Sequence, residues 1–183
     1  MMNIFLKSLI VLSICACLLS AADHSARLFP VEQHDKWGYI DRDGNVVVEP
    51  KFQEARHFVE DRALVKVDDK WGYLDTGGEL IILPQFDEAF DFADGLARVY
   101  KRELIGGDFG YIDKSGKVVI PYQYDRAGDF GEGLAPVEFE KHKWGYIDRK
   151  GKTVIEPQFR KAAAFCDGLA VVEVADGRHG YID

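Results

Sequence analysis

Four aspartates that share one place in a repeated segment are the first residues to consider for chemistry. Asp41, Asp75, Asp113 and Asp148 each begin a short stretch that closes on a glycine three residues later. Loop carboxylates bind calcium, but a site of the EF-hand type needs several of them at spacings of two within one loop. Only Asp41 and Asp43 approach that spacing, whereas an Asp at the start and a Gly at the end suit a tight hairpin turn. The pattern therefore predicts turn caps and no metal site.

The histidines and the remaining cysteine show no arrangement typical of catalysis. The histidines, which lack metal-ligand spacing, are His24, His34, His57, His142 and His179. Cys166 is expected to be a small buried thiol rather than a nucleophile, because no His or Asp partner recurs near it in the sequence. No glycine-rich phosphate loop or serine-nucleophile elbow occurs. We predict no catalytic residue, no cofactor and no enzymatic activity; the alternative place for an activity is an insertion at residues 102–108.

The most conspicuous stretch is Trp-Gly-Tyr-Ile-Asp, here called the aromatic motif. It begins at residues 37, 71, 109, 144 and 179, with Phe109 and His179 in place of Trp. Its rings are candidates for a carbohydrate platform, or for a core in which each large side chain contributes ~1.5–3 kcal/mol. The motif is apolar on both faces, which favours burial in a central strand. Its glycine predicts that a neighbouring aromatic lies close over the backbone.

The rest of the chain repeats with the aromatic motif at intervals of 34 to 38 residues. Before each motif, apolar and polar residues alternate, as in residues 134–139, which is typical of a half-buried strand. After each turn comes a short β-branched run, such as residues 118–120. The prolines that follow are expected to end these strands, because proline cannot donate to a ladder; they are Pro50, Pro84, Pro121 and Pro157. Each repeat therefore predicts a three-stranded antiparallel meander.

A segment of the form aromatic-x-x-Ala-x-x-Phe follows every meander. Its spacing of three places the shared residues on one side of a short helical turn, which we predict to plug the open end of the sheets. The segments are Phe52/Ala55/Phe58, Phe86/Ala89/Phe92, Tyr124/Ala127/Phe130 and Phe159/Ala162/Phe165. Four full repeats and a C-terminal half repeat give 14 predicted strands. The all-β repeats are expected to form an open, superhelical or solenoid-like array, with a closed propeller as the alternative, because the first repeat already holds three strands of its own.

The repeated residues resemble the bacterial WG-repeat family, also called KWG repeats. The resemblance rests on residues 36–41 followed by Gly44, and on the Gly-Leu-Ala-x-Val element at residues 133–137. It extends over residues 28–183 and departs from the family at Phe109, at His179 and in the longer loop of repeat 3. The family implies tandem β-rich repeats, often in exported or surface proteins, and a role in binding. It implies no shared catalytic site, so no functional residue is transferred.

The first 22 residues have the layout of a secretory signal peptide. Residues 1–7 carry one positive charge, residues 8–19 are uncharged and mostly apolar, and residues 20–22 are small. This predicts a signal peptide at 1–22 and a repeat domain at 23–183. The apolar run is shorter than the about 20 residues of a spanning helix, so no membrane span is expected after cleavage.

Because a signal peptide is predicted, we expect the mature chain to be exported and to be periplasmic or extracellular. Residues 14–17 loosely resemble a lipobox, so a lipid anchor on Cys17 in the cell envelope is the alternative.

Composition and repetition together favour a binding role. The formal net charge of −8 argues against nucleic acid or an anionic membrane surface as partner. Four strand positions are expected to point outward and to vary between repeats: Lys66, Arg98, Glu138 and Glu173. We therefore predict an exported, non-enzymatic scaffold that binds a protein or peptide. The alternative is a glycan- or cell-wall-binding module that uses exposed aromatics. The sequence leaves the binding residues unassigned.

Overall fold

The computed structural model describes residues 28–103 and 107–183, in which every regular element is a β-strand. The strands are β1 (Phe29–Gln33), β2 (Lys36–Ile40), β3 (Val46–Phe52), β4 (Glu54–Ala55), β5 (Ala63–Val67), β6 (Lys70–Leu74), β7 (Leu80–Phe86), β8 (Glu88–Ala93), β9 (Leu96–Arg102), β10 (Gly107–Asp113), β11 (Val118–Tyr124), β12 (Leu134–Glu140), β13 (Lys143–Asp148), β14 (Thr153–Phe159), β15 (Lys161–Ala162), β16 (Ala170–Glu173) and β17 (His179–Ile182). No helix long and apolar enough to cross a membrane occurs in these two ranges. The predicted signal peptide, Cys17 and His24 lie outside the described residues.

The strands form five antiparallel sheets that follow one another along the chain. Their strand orders are β1-β2-β3, β4-β5-β6-β7, β8-β9-β10-β11, β12-β13-β14 and β15-β16-β17. In every sheet the strand that carries the aromatic motif follows the alternating strand; we call it the central strand. In the first four sheets an outer strand (β3, β7, β11 or β14) pairs with its far side. The prediction of an all-β tandem array of meanders is thereby confirmed.

The predicted helical plug is wrong, because these segments are extended. Phe52 is the last residue of β3, and Ala55 lies in β4, where it pairs with Val65 of the next sheet. The Gln53 N–H donates to the carbonyl of Lys66 at 2.9 Å, so the chain changes sheets at this residue. A strand that crosses between two sheets produces the same three-residue spacing as a helical turn. The segments account for the three strands beyond the 14 predicted, namely the two-residue β4 and β15 and the six-residue β8.

The prolines do not end the outer strands. The sequence-based prediction that they would is wrong. In β7, Pro84 lies between Ile82, which pairs with Tyr73, and Phe86, which pairs with Trp71. Between these two pairs the outer strand spans more residues than the central strand, and it therefore bulges. An edge strand tolerates proline at such a bulge, since the missing N–H removes no ladder hydrogen bond.

The glycine of the aromatic motif makes room for this bulge. A Cβ atom on Gly72 would lie 2.5 Å from the Ile82 carbonyl oxygen and 2.8 Å from the Pro84 nitrogen. Gly38 and Gly145 are crossed in the same way, with a Cβ 2.4 Å from the nearest carbonyl oxygen. The backbone of the outer strand therefore lies against this glycine. The prediction that an aromatic ring lies there is wrong.

In the described part of the chain the hydrophobic core is divided into four clusters, one at each junction between successive sheets. At the first junction, Tyr39 and Phe52 of the first sheet pack on Ala63, Val65 and Leu74 of the second. The other three junctions use residues at corresponding positions. Each sheet therefore buries its apolar faces against its immediate neighbours, which is the arrangement of a one-dimensional repeat array.

Carboxylates in the turns that precede the alternating strands also join neighbouring sheets. The Gly95 N–H donates to the Glu60 carboxylate at 3.0 Å, and the Gly133 N–H donates to Asp94 at 2.7 Å. Glu132 accepts from the Gly168 N–H at 3.0 Å in the same way. A regular ladder of charge-assisted hydrogen bonds therefore runs along one end of the sheets.

The last sheet has an exposed face among the described residues. Tyr181 is 46% exposed, whereas the tyrosines at the same position of the other four motifs are at most 1% exposed. Val171 and Leu169 beside it are also exposed. In a closed ring the first sheet would cover this face, as the next sheet covers it at every other junction.

Candidate functional site

The four turn aspartates are hydrogen-bonded to their own turns. Each Oδ1 accepts from the backbone N–H groups two and four residues later, at 2.9–3.1 Å. Hydrogen bonds from the Asn45 side chain lower the pKa of Asp41, and the Ser115 hydroxyl does the same for Asp113. The backbone N–H groups of Lys152 and Lys150 lower the pKa of Asp148. The predicted turn-capping role is confirmed.

The tyrosines of the aromatic motif are structural. Tyr73 is buried, its ring meets Phe92 of the next sheet edge to face at 5.1 Å, and its burial raises the pKa of its phenol. Trp71 is also buried, and the cationic groups of Arg56 and Lys66 lie 5.1 and 5.6 Å from its ring. Trp37 and Trp144 are half-buried. The motif therefore holds neighbouring sheets together, and the four buried motif tyrosines of the first four sheets present no ring face to a sugar.

The histidines and Cys166 are dispersed over the array. His34 and His142 lie in hairpin turns with positive φ, and His57 is exposed after β4. His179 lies in β17, 3.7 Å from Glu173. Cys166 is half-buried in the turn before β16. Within residues 28–103 and 107–183, these side chains are not brought together into a site.

The insertion in repeat 3 lies between β9 and β10, and residues 104–106 fall outside the described ranges. Phe109, which replaces the motif tryptophan there, packs on Tyr100 with ring centroids 5.0 Å apart. The Arg98 guanidinium lies 3.6 Å from the Phe90 ring and donates to Asp129 at 3.1 Å. These contacts fill the position of the missing tryptophan with a packed cluster.

The strand positions expected to point outward are largely occupied by internal contacts. Glu138 and Glu173 are buried, so the prediction is wrong for both. Glu138 accepts from the His142 N–H at 2.6 Å, and Glu173 lies 2.9 Å from Lys161, which lowers the pKa of Glu173. Arg98 is held by Asp129, and Lys66 lies over Trp71. None of the four is a free recognition group.

Exposed aliphatic side chains recur instead on the four outer strands. Each strand has one aliphatic residue that packs on the core: Val48, Ile82, Ile120 or the half-buried Ile155. At the two positions before it, all side chains but one are exposed aliphatics; the exception is Thr153. We call this set, with the adjoining Leu83, the aliphatic stripe; it comprises Val46, Val47, Leu80, Ile81, Leu83, Val118, Val119 and Val154. Leu83 is its most exposed member, at 66%. Its repetition in all four outer strands makes the stripe the best candidate for a binding surface.

The sequence contained a signal for this stripe. Its β-branched runs are what a buried strand would show, because such residues favour any pleated strand. The proline that follows each run indicates an edge strand, whose side chains have less cover on both faces. Read together, the two features predict exposed aliphatics at an open edge.

A basic groove of about 460 Å³ lies beside the end of the fourth outer strand. Its lining residues are Lys141, His142, Lys143, Pro157, Gln158, Arg160 and Ala175. Lys143 is paired with Glu140 at 2.7 Å, and Arg160 lies 3.5 Å from Glu173. That leaves the ammonium group of Lys141, which suits a carboxylate or another small anion. The groove is a local basic feature on an acidic chain.

Comparison with protein families gives a match over most of the chain. The model described as WG containing repeat matches residues 37–71, 71–104, 109–141 and 144–177. The chain belongs to this family. In this WG-repeat chain, each match begins at the first residue of an aromatic motif, which is Phe109 in repeat 3. The matched unit therefore starts on a central strand and continues into the following sheet.

Among solved structures, the WG-repeat chain is similar to BamB from Moraxella catarrhalis. The TM-score is 0.46 at 12% sequence identity, over 88% of this chain and 57% of the BamB chain. The WG-repeat chain thus spans little more than half the length of that protein. No curated protein sequence matches it.

Proposed function

We propose that this WG-repeat chain is an exported, non-enzymatic scaffold that binds a protein or peptide partner through the aliphatic stripe. The observation that carries the proposal is the recurrence of exposed aliphatic side chains at the same positions of β3, β7, β11 and β14. Threonine has a similar preference for strands and is compatible with water. A repeated choice of Val, Ile and Leu at exposed positions therefore favours contact with an apolar partner surface.

The surroundings of the stripe fit a protein interface. Exposed polar residues lie on the same strands, including Glu49, Lys51, Gln85 and Glu156. An apolar centre with a polar rim is the usual anatomy of a protein–protein contact. The basic groove beside β14 adds a place for an acidic side chain of the partner.

A glycan- or wall-binding module is less well supported. Sugar recognition by stacking needs exposed aromatic faces, and the motif tyrosines of the first four sheets are buried. The stripe consists of aliphatic side chains, which offer shape and apolar area without a ring face. The proposal that the chain is exported rests on the signal-peptide pattern of residues 1–22.

The test replaces the centre of the stripe while keeping the shape of its strands. The variant Val47→Thr, Ile81→Thr, Val119→Thr, Val154→Thr retains β-branched side chains and removes apolar surface. The matched control, Lys51→Thr with Glu156→Thr, changes polar residues on two of the same strands. A photo-crosslinking residue at position 83 reports binding in envelope extracts.

We expect one dominant crosslinked protein with the wild-type chain and the control. In the stripe variant the yield of crosslinked product should fall at least about tenfold. A tenfold fall corresponds to a loss of ~1.4 kcal/mol of binding free energy. Absence of a dominant partner, or equal yield from the stripe variant, would refute the proposal. Circular dichroism of all three proteins verifies that the strands are intact.

A further inference from the structure

Positive charge is concentrated in the hairpin turns that precede the third and fourth outer strands. Residues 113–117 and 148–152 carry five cationic side chains and two carboxylates. The corresponding turns of the first two repeats, residues 41–45 and 75–79, carry one cationic side chain and four carboxylates. On a chain with a formal net charge of −8, the two later turns therefore form a local basic surface.

Two of the five cations are engaged inside the protein. The Lys114 ammonium lies 3.5 Å from the Glu60 carboxylate. The Arg149 guanidinium lies against Gly95, where an added Cβ atom would come within 3.1 Å of it. The other three, here called the turn lysines, are exposed and form no ion pair within residues 28–103 and 107–183; they are Lys117, Lys150 and Lys152. Their ammonium groups are therefore available to a carboxylate of another molecule.

The turn lysines lie beside the aliphatic stripe. Lys117 directly precedes β11, and Lys152 directly precedes β14. The turn before β14 also packs on β11, since a Cβ atom on Gly151 would lie 3.3 Å from a methyl carbon of Ile120. At the other end of β14, the basic groove adds the ammonium group of Lys141. Cations therefore flank β14 at both ends and β11 at its start.

We propose that the partner of the aliphatic stripe is an acidic protein segment. Its apolar centre contacts β11 and β14, and its carboxylates bind the turn lysines and Lys141. This inference rests on the function proposed above and adds the charge of the partner and the part of the stripe that it contacts. The turns before β3 and β7 carry more carboxylates than cations and repel the same segment. Complementary charges of this kind fix the register of a partner and speed its association.

The overall charge of the chain favours a short protein segment over a larger polyanion. A net charge of −8 repels an anionic membrane surface or a nucleic acid as a whole. A short segment contacts only the local basic surface. Its carboxylates reach the turn lysines while its aliphatic side chains cover Val118, Val119 and Val154, which are exposed.

The experiment uses the full chain and three synthetic peptides of equal length. Each peptide has four aliphatic residues between two pairs of aspartates, asparagines or lysines. At about 3.3 Å per residue, such a peptide reaches from one end of the seven-residue β14 to the other. Amide shifts measured by NMR give both the place of binding and the dissociation constant.

We expect the aspartate peptide to bind most tightly, with shifts at residues 113–119 and 148–154. Its affinity should exceed that of the lysine peptide at least about tenfold, because exposed pairs of opposite charge attract and like charges repel. The preference should fade in 1 M salt, since the Debye length falls from ~10 Å at 0.1 M to ~3 Å.

Substitution of the turn lysines tests the same contact from the side of the protein. The variant Lys117→Gln, Lys150→Gln, Lys152→Gln should bind the aspartate peptide about tenfold more weakly, because it loses three exposed ion pairs. The matched control removes three exposed lysines elsewhere, Lys36→Gln, Lys51→Gln and Lys101→Gln. This control should bind the peptide as the wild-type chain does.

Several results would overturn the proposal. They are no binding of the aspartate peptide, equal affinity for the three peptides, unchanged affinity of the turn-lysine variant, and shifts confined to other strands. Binding of phosphatidylglycerol vesicles in place of the peptides would assign the turn lysines to a lipid surface and would also overturn it.

The two proposals fail in different ways. If the stripe binds its partner without help from charge, the asparagine peptide binds as tightly as the aspartate peptide, and only the acidic character of the partner is refuted. If the aspartate peptide binds the stripe variant with its four threonines as tightly as the wild-type chain, the aliphatic contact is refuted, and the function proposed above fails with it.

Discussion

The motif tyrosine of each of the first four sheets donates a hydrogen bond from its phenol hydroxyl to a backbone carbonyl of the following sheet, at 2.7–2.8 Å. These tyrosines are Tyr39, Tyr73, Tyr111 and Tyr146. The acceptor lies 17 residues further along the chain in every case. The ring fills the junction core while its hydroxyl satisfies a carbonyl that the crossing segment leaves unpaired. At the residue scale, the tyrosine of the aromatic motif is the element that fixes one sheet to the next.

Tyr111→Phe tests this role. The substitution keeps the ring and leaves the Gly128 carbonyl without its donor inside the junction, which should cost about 1–2 kcal/mol of the free energy of unfolding. Urea denaturation measures the change. The matched control, Tyr181→Phe, alters an exposed ring and should stay within about 0.5 kcal/mol of wild type. Equal effects of the two substitutions would contradict the account.

At the scale of elements, the meander was predictable and its connection to the next sheet was not. Alternation before the motif and the Asp-to-Gly turn after it are local signals, and both are confirmed. The segment from Phe52 to Phe58 was misread because its spacing of three fits a helical face as well as a chain that changes sheets at Gln53. Long-range pairing of Ala55 with Val65 decides between the two, and a local pattern carries no information about that partner.

Gly72→Ala tests the crossing of the outer strand over the central strand. The added Cβ would meet the backbone of β7, which cannot move without disturbing the pairing, so overpacking should cost about 1–3 kcal/mol or more. Gly77→Ala is the matched control, because its Cβ would meet only the Asp75 side chain at 3.3 Å in an exposed turn. Thermal or urea unfolding compares the two. A stable Gly72 variant would show that the bulge adapts freely.

At the scale of the whole molecule, four separate junction cores make the protein a chain of sheets. The repeat period predicted this architecture, since one repeated unit must bury its faces against copies of itself. The aliphatic stripe could not be assigned in the same way. Val119 and the buried Ile120 are adjacent β-branched residues, and the packing of the next sheet on one face of β11 decides which of them is buried. An array of this kind offers a long, regular surface, which suits binding.

The most direct measurement of this account is native-state hydrogen exchange on a variant of the last junction. Ile182 is buried against the fourth sheet, so Ile182→Ala should remove about 2–5 kcal/mol of packing at that junction alone. If each sheet is held only by its neighbours, the amides of β16 and β17 will exchange much faster while those of β5, β6 and β7 keep their wild-type protection. Equal acceleration across all five sheets would show a single cooperative core and would contradict the account.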